Sequence, residues 1–339
     1  MTTSVLVTGG AGYLGSILCE HLLDAGHRVV ALDNLMFGQH SLFHLCSNPR
    51  FDFVPGDARD LSLVGRLVAT SDVIIPLAAV VGAPACDQDP WLTEAVNRDA
   101  VLALNRLRSP RQLLIIPITN SGYGTKSGEV LCTEDSPLEP ISLYGKTKVE
   151  VERALLGTPN VISLRLATVF GMSPRMRLDL LVNHFVYAAV TDGYIVLFEK
   201  DFKRNFIHIR DVADAFLHGI AHSGEMAGRA YNAGLDSANL SKEQLARTIA
   251  RQVPEFVIQT SELRSDPDKR NYIVSNERLR AAGFSAARSL DLGVAELIKG
   301  YQLLGRPPMK NVAQRYAGGV AVCAPSAGEA EAQVCQSHA

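Results

Sequence analysis

Long hydrophobic runs are missing from this chain. No apolar stretch approaches the ~20 residues a helix needs to span a bilayer. Residues 1–8 lack a basic n-region, and Gly9 and Gly10 interrupt the first apolar run, so no signal peptide and no membrane association are expected. Charge of one sign is missing too. The 33 lysines and arginines are mixed with 35 aspartates and glutamates, leaving a formal net charge of -2. Nothing resembles the basic stripe that nucleic acid requires, or the polybasic amphipathic segment of a membrane-surface protein. Cysteine is sparse and scattered. Cys19, Cys46, Cys86, Cys132, Cys323 and Cys335 form no C-x-x-C, and no histidine stands at ligand spacing to them. That excludes a recognisable metal site and reads as reduced thiols in a cytoplasmic protein.

Short β-branched apolar runs are present instead. Ser4–Thr8, His27–Leu32, Phe51–Val54, Val73–Leu77, Leu113–Ile118 and Val161–Leu166 read as buried strands, and helical periodicity separates most of them. Ser16–Ala25 is the first such helix, and Gly26 stops it. Strands alternating with helices imply parallel pairing, because a parallel return needs a crossover. The expected fold is α/β, a Rossmann-type doubly wound parallel sheet over residues 1–170. After Pro174 the alternation breaks down, with a strand at Asn205–Ile209 and helices at Ser241–Val253 and Leu290–Leu304. Residues 171–305 are expected to form a smaller mixed α/β substrate-binding lobe, and 306–339, rich in Ala, Gly and Ser, a flexible tail.

The turn after the first strand reads Gly9-Gly10-Ala11-Gly12-Tyr13-Leu14-Gly15. Glycines there allow a tight turn and close approach of a diphosphate, and the helix start offers N–H groups and positive dipole to it. A glycine run alone is only a turn signal; its place between strand and helix makes it a dinucleotide site. Asp33 ends the second strand, where a carboxylate accepts from the adenosine ribose hydroxyls and repels a 2′-phosphate. No lysine or arginine follows before Arg50, which favours NAD over NADP. Asn34 follows Asp33, and Gly56-Asp57-Ala58 after the third strand is an acidic turn suited to the adenine amino group, although a plain turn reads the same way.

Tyr144 and Lys148 have Y-x-x-x-K spacing on an expected helix, and residues four apart share a face. An ammonium beside a phenol, with a positively charged nicotinamide nearby, favours the phenolate, so the tyrosine pKa is expected to fall toward neutrality and make it a base. Lys146 is expected to point elsewhere on that helix. A solvated helix face is the plainer reading of the pair. The strand Leu113–Ile118 runs into Thr119-Asn120-Ser121-Gly122-Tyr123-Gly124, at the strand end where parallel sheets bind ligands.

Together these stretches resemble the extended short-chain dehydrogenase/reductase superfamily, in its NAD-dependent nucleotide-sugar epimerase/dehydratase branch, from Val5 to about Leu304. The resemblance implies a catalytic triad of Thr119, Tyr144 and Lys148, with Lys148 also on the nicotinamide ribose. It implies cofactor contacts at Gly9, Gly12, Tyr13, Leu14, Asp33, Asn34, Asp57, Ala58, Leu77, Ala78 and Ala79. Leu77-Ala78-Ala79 falls on the family's H-x-A-A stretch, with Pro76 in place of the histidine. Substrate contacts are implied at Ala83, Thr119, Asn120, Ser121, Tyr144, Asn183, Arg204 and Arg270, with Arg264 as a competitor for the last. Arginine suits diphosphate because its planar fork pairs two oxygens. The 4,6-dehydratases of the branch carry an acidic pair directly after the threonine; here those positions are Asn120 and Ser121. Elimination of water is therefore not expected. A nearer resemblance, through Asp33–Phe37, Val81–Pro84, Thr119–Gly124 and Arg165–Leu180, is to enzymes acting on nucleotide-activated manno-heptoses. Oxidation at the sugar C4 is the implied chemistry, completed as an epimerisation through a 4-keto intermediate or ended as a net dehydrogenation. A non-catalytic NAD-sensing protein is the reading from another class, and retention of Thr119, Tyr144 and Lys148 argues against it. The resemblance further implies a homodimer pairing through two helices, about Glu94–Leu107 and Gly145–Leu156.

Overall fold

The computed structural model describes residues 3–126, 130–262 and 270–304. The expected tail, Arg264, Cys323 and Cys335 lie outside the described residues.

Seven strands form one sheet in the spatial order Arg229–Ala233, Val161–Leu166, Leu113–Thr119, Val73–Pro76, Ser4–Thr8, Arg28–Asp33, Phe51–Pro55. Every pairing between them is parallel. The order reverses beside the first strand, which opens a crevice at the carboxyl ends of the strands. Central strands are buried along their whole length, as in Leu113–Thr119 and Val73–Pro76. Helices cover both faces, so these strands read as unbroken apolar runs rather than alternating ones. The helix Tyr13–Asp24 starts directly from the glycine turn, earlier than its periodicity indicates, and ends before Gly26, whose φ of 92° suits a residue without Cβ.

The expected boundary at residue 170 does not divide the sheet. The strand Arg229–Ala233 returns from the second half of the chain and pairs with Val161–Leu166. The reason is burial: Val161–Leu166 is almost fully enclosed and needs a hydrogen-bonding neighbour on both edges. The crossover helix Ile209–Ala221 supplies the connection and packs on Tyr13–Asp24. Around this frame lie the smaller elements of the second half. Lys203–His208 pairs with Thr168–Phe170 and Asn239–Ser241, and Tyr194–Leu197 pairs with Val257–Thr260.

The helix expected over Glu94–Leu107 is interrupted. Pro90–Glu94 and Ala100–Leu107 are α-helical, and Ala95–Asp99 between them is a π turn. Within it Asn97 is fully buried, and its amide accepts from the Val80 N–H and donates to the Val80 carbonyl, both at 2.8 Å. A π turn inserts an extra residue and re-aims a side chain, here onto the loop after the fourth strand. No described helix is long and apolar enough to cross a membrane.

Candidate active site

One cleft of 1710 Å³ runs along the carboxyl ends of the strands. It exceeds the ~300–1,000 Å³ of a pocket for one drug-sized ligand, and so has room for a dinucleotide and a second large molecule. Its walls carry the glycine loop, Asp33, Thr119, Tyr144 and Lys148 together.

The glycine loop leaves no room for side chains. A Cβ on Gly15 would lie 2.3 Å from the Gly9 carbonyl oxygen, and one on Gly9 would lie 2.6 Å from the Ala78 nitrogen. Gly9 also has φ of 71°. Asp33 is tied to this loop: its carboxylate accepts from the Ala11 N–H at 3.0 Å, the Leu35 N–H at 2.8 Å and the Gln39 amide at 3.2 Å. Burial pushes the Asp33 carboxyl up from its ordinary value, and those hydrogen bonds pull against it. Asp57 is held by Arg59, which donates from Nε and Nη2 at 3.0 and 2.7 Å and keeps the carboxyl below its usual range. The open glycine turn and the carboxylate beside it fit an adenosine diphosphate moiety. The tyrosine of the loop lines the same cleft while its hydroxyl is tied to the wall. Tyr13 donates to the Gly171 carbonyl at 2.8 Å and accepts from Asn183.

Tyr144 and Lys148 lie on the helix Leu143–Leu155, which Ser142 caps by accepting from the Gly145 N–H. Four residues further on the same face is Glu152, paired in the interior with Arg165 on the neighbouring strand at 2.6 Å. Ser163 and Tyr123 complete that cluster, bonding Glu152 and Arg165 respectively. The helix is therefore pinned in rotation and register by its buried end while its first turns face the cleft.

Burial pushes the Tyr144 phenol up to about 12, and burial also drives Lys148 down to about 8. Desolvation opposes the charged form of both groups. The cations that pull Tyr144 back are Arg177 first and Arg270 second. Arg177 is paired with Asp179 and lines the same part of the cleft, beside Gly82. Lys146, expected to point elsewhere, stands exposed at the rim of the cleft.

Thr119 donates from Oγ1 to Ser121 Oγ at 2.9 Å and accepts from the Ser121 N–H. Arg270 reaches the Ser121 hydroxyl from across the cleft, next to the threonine. Arg204 is buried against the Tyr272 ring at 5.6 Å and donates to the Lys203 carbonyl. Both arginines line the cleft, as do Leu14, Asn34, Ala58, Leu77, Ala78, Ala79 and Ala83. Two expected substrate contacts are not part of its wall. Asn183 is fully buried and bonds the Gly171 N–H, the Tyr13 hydroxyl and the Arg177 carbonyl, so it braces the wall from behind. Asn120 is 1% exposed, and neither atom of its amide has a partner among the described residues. Unforeseen wall residues are Phe37, Arg175, Arg177, Asp179, His184 and Lys242. Arg175 and Arg177 lay in plain view in the Arg165–Leu180 stretch, but nothing in their spacing says where the chain returns.

The model for the NAD dependent epimerase/dehydratase family matches residues 5–234. The chain belongs to that family. This epimerase/dehydratase is an enzyme with NAD as its cofactor. It is 31% identical to a UDP-glucose 4-epimerase of Mycolicibacterium smegmatis over 74% of this chain and 84% of that one. It is 29% identical to the low-salt glycan biosynthesis protein Agl12 of Haloferax volcanii, over 88% of this chain and 98% of the relative. The fold matches a UDP-glucose 4-epimerase structure from Thermotoga maritima solved with UDP-glucose, with a TM-score of 0.78, 21% identity, and coverage of 89% and 100% of the two chains.

Proposed function

We propose that this enzyme oxidises C4 of the sugar in a nucleotide-diphosphate sugar and then reduces the ketone on its opposite face, a 4-epimerisation through a 4-keto intermediate. The observation that carries this reading is the shared cleft: Thr119, Tyr144 and Lys148 face the space that the glycine loop and Asp33 open onto. Tyr144 Oη takes the proton of the C4 hydroxyl as C4 gives up its hydrogen with the bonding pair, and the C–O single bond becomes a carbonyl. NAD, when bound, supplies the acceptor for that pair. Thr119 Oγ1 hydrogen-bonds the same sugar oxygen, and Lys148 orients the nicotinamide ribose. On the return, Tyr144 gives the proton back. Elimination has no acid at the positions after Thr119, since Asn120 is turned into the interior and Ser121 is engaged by Thr119 and Arg270.

Arg204 and Arg270, together with Lys242, put positive charge where the substrate diphosphate would lie. The sugar we read as a heptose, on the resemblance carried by Arg165–Leu180. The same resemblance favours a second reading, net dehydrogenation with release of the ketone. Mass spectrometry of the purified enzyme with a panel of nucleotide-heptoses and nucleotide-hexoses separates them. A stereoisomer of unchanged mass supports epimerisation, and a product lighter by two hydrogens supports dehydrogenation. A product lighter by one water overturns both.

The enzyme is further proposed to act as a homodimer, paired through Leu143–Leu155 and the interrupted helix before it. Arg98 already bridges these elements, bonding Glu94, Asp99 and Glu150. Light scattering is expected to give the mass of two chains; a monomer at micromolar concentration overturns the pairing.

A further inference from the structure

Residues Gly171 to Ser173 form a turn that holds Tyr13 at both ends. Tyr13 Oη donates to the Gly171 carbonyl at 2.8 Å, and Ser173 Oγ donates to the Tyr13 carbonyl at 2.7 Å while lying 3.0 Å from Ser16 Oγ. Tyr13 is the first residue of the helix that follows the glycine turn, and it lines the cleft. The N–H groups of such a helix start favour phosphate. Burial first, and the Glu296 carboxylate among the lesser causes, push the Tyr13 phenol up, so it stays protonated and keeps donating. From Ser173 the chain runs on to Arg175 and Arg177, both in the cleft wall. Whatever fixes the turn therefore fixes the wall from Tyr13 to Arg177.

Glu296 reaches this turn from the helix Leu290–Leu304, at the far end of the described chain. Its Oε1 accepts from the Met172 N–H at 2.9 Å, in the middle of the turn, and its Oε2 lies 3.0 Å from His208 Nε2. His208 is fully buried, and its Nδ1 accepts from the Arg210 N–H at 3.3 Å. A neutral imidazole that accepts at Nδ1 carries its hydrogen on Nε2. Glu296 thus faces two donors, and a carboxylate has an oxygen for each. The helix face is shaped to bring it there. Gly293 and Gly300 flank Glu296 at spacings of three and four, which share a face. A Cβ on Gly293 would stand 2.9 Å from His208 Cδ2 and strike the Phe170 ring, and one on Gly300 would strike the Met172 thioether. Gly171 itself has φ of 120°, and a Cβ there would stand 2.7 Å from His208 Nε2.

We propose that Glu296 is a positioning residue for the cofactor: by holding the Met172 N–H and His208 together it fixes the turn at Gly171 to Ser173, and through that turn the start of the helix Tyr13–Asp24, whose N–H groups receive the dinucleotide diphosphate. The proposal rests on NAD as the family's cofactor and not on the identity of the sugar. Glutamine would not serve in its place. An amide offers one oxygen and one NH₂ group, so either the turn or the histidine would face a donor. Leucine would leave both donors unmet.

The test measures dissociation constants for NADH, followed by its fluorescence, and for ADP-ribose, with thermal unfolding as the control for folding. Glu296→Leu is expected to weaken both ligands by about 3- to 30-fold, within the range of couplings inside one hydrogen-bond network. Glu296→Gln is expected to give a smaller loss for the same two ligands. A helix anchor with no part in binding would lower the unfolding temperature and leave the affinities of the folded protein unchanged, and that result overturns the proposal. The route through the turn is read from a double-mutant cycle. Tyr13→Phe removes the phenol's bond to Gly171 without touching Glu296. If Glu296 acts through that turn, Glu296→Leu costs less affinity in the Tyr13→Phe background than in the parent protein. Equal losses in the two backgrounds overturn the proposal, since additivity means the two residues are independent. If Glu296→Leu does not fold, Glu296→Gln carries the same measurements, and unchanged NADH and ADP-ribose affinity in it overturns the proposal.

Discussion

Tyr144→Phe is expected to keep the fold and NAD binding and to lower turnover by about 10²–10⁴-fold, the usual contribution of a positioned acid/base group. The phenol hydroxyl stands on the cleft-facing turns of Leu143–Leu155, and the proposed mechanism routes the proton of the sugar hydroxyl through it. Near-normal turnover by a correctly folded variant would remove Tyr144 from the mechanism. The charge around it makes a companion prediction. A phenol is neutral when protonated, so a nearby cation favours its ionised form and removing that cation raises its pKa. Arg177 is the leading group that pulls Tyr144 down against burial. Arg177→Gln is therefore expected to move the acid limb of the kcat/KM profile to higher pH. An unmoved limb with a raised KM would show that Arg177 serves binding alone.

Glu152→Ala is expected to destabilise the protein by about 3–5 kcal/mol, the cost of leaving a buried charge without its partner. Both side chains of the pair are nearly inaccessible, at 6% for Arg165 and 3% for Glu152. Arg165 meets Glu152 through Nε and Nη2, and it also bonds Tyr123 and the Glu134 carbonyl. Tyr123 continues the chain to Asn232 on the last strand of the sheet. Losing the carboxylate therefore strands a cation between the helix Leu143–Leu155 and two strands. Urea unfolding would measure the loss, and a change under 1 kcal/mol would mean that the cluster relaxes or hydrates. Any Glu152→Ala protein that remains folded is also expected to lose turnover, because Tyr144 and Lys148 are carried on the same helix face.

Much of the site was legible along the chain because it is built from local signals. The glycine turn, the carboxylate ending the second strand and the Y-x-x-x-K spacing each use residues close in sequence, where strand and helix periods dictate geometry. All three fall on one cleft. Parallel pairing of the first strands was legible for the same reason, since their crossovers are local strand–helix–strand units.

What depends on the chain's return was not. Local pattern ends the sheet near residue 170, and only packing shows that Arg229–Ala233 closes its edge. Asn183 sits at a family position yet braces Tyr13 from inside, because helix Leu181–Thr191 is rotated to bury it. The ionisation of Tyr144 turned on desolvation and on Arg177, neither of which is encoded in its four-residue spacing to Lys148. Sequence by itself determined the fold class, the glycine turn between strand and helix and the shared helix face of Tyr144 and Lys148, since these follow from backbone periodicity over short spans. Tertiary structure alone decided which distant side chains share the cleft, how the helix Leu143–Leu155 is anchored and which cations surround its tyrosine. Contacts and burial between segments far apart in the chain have no period to betray them.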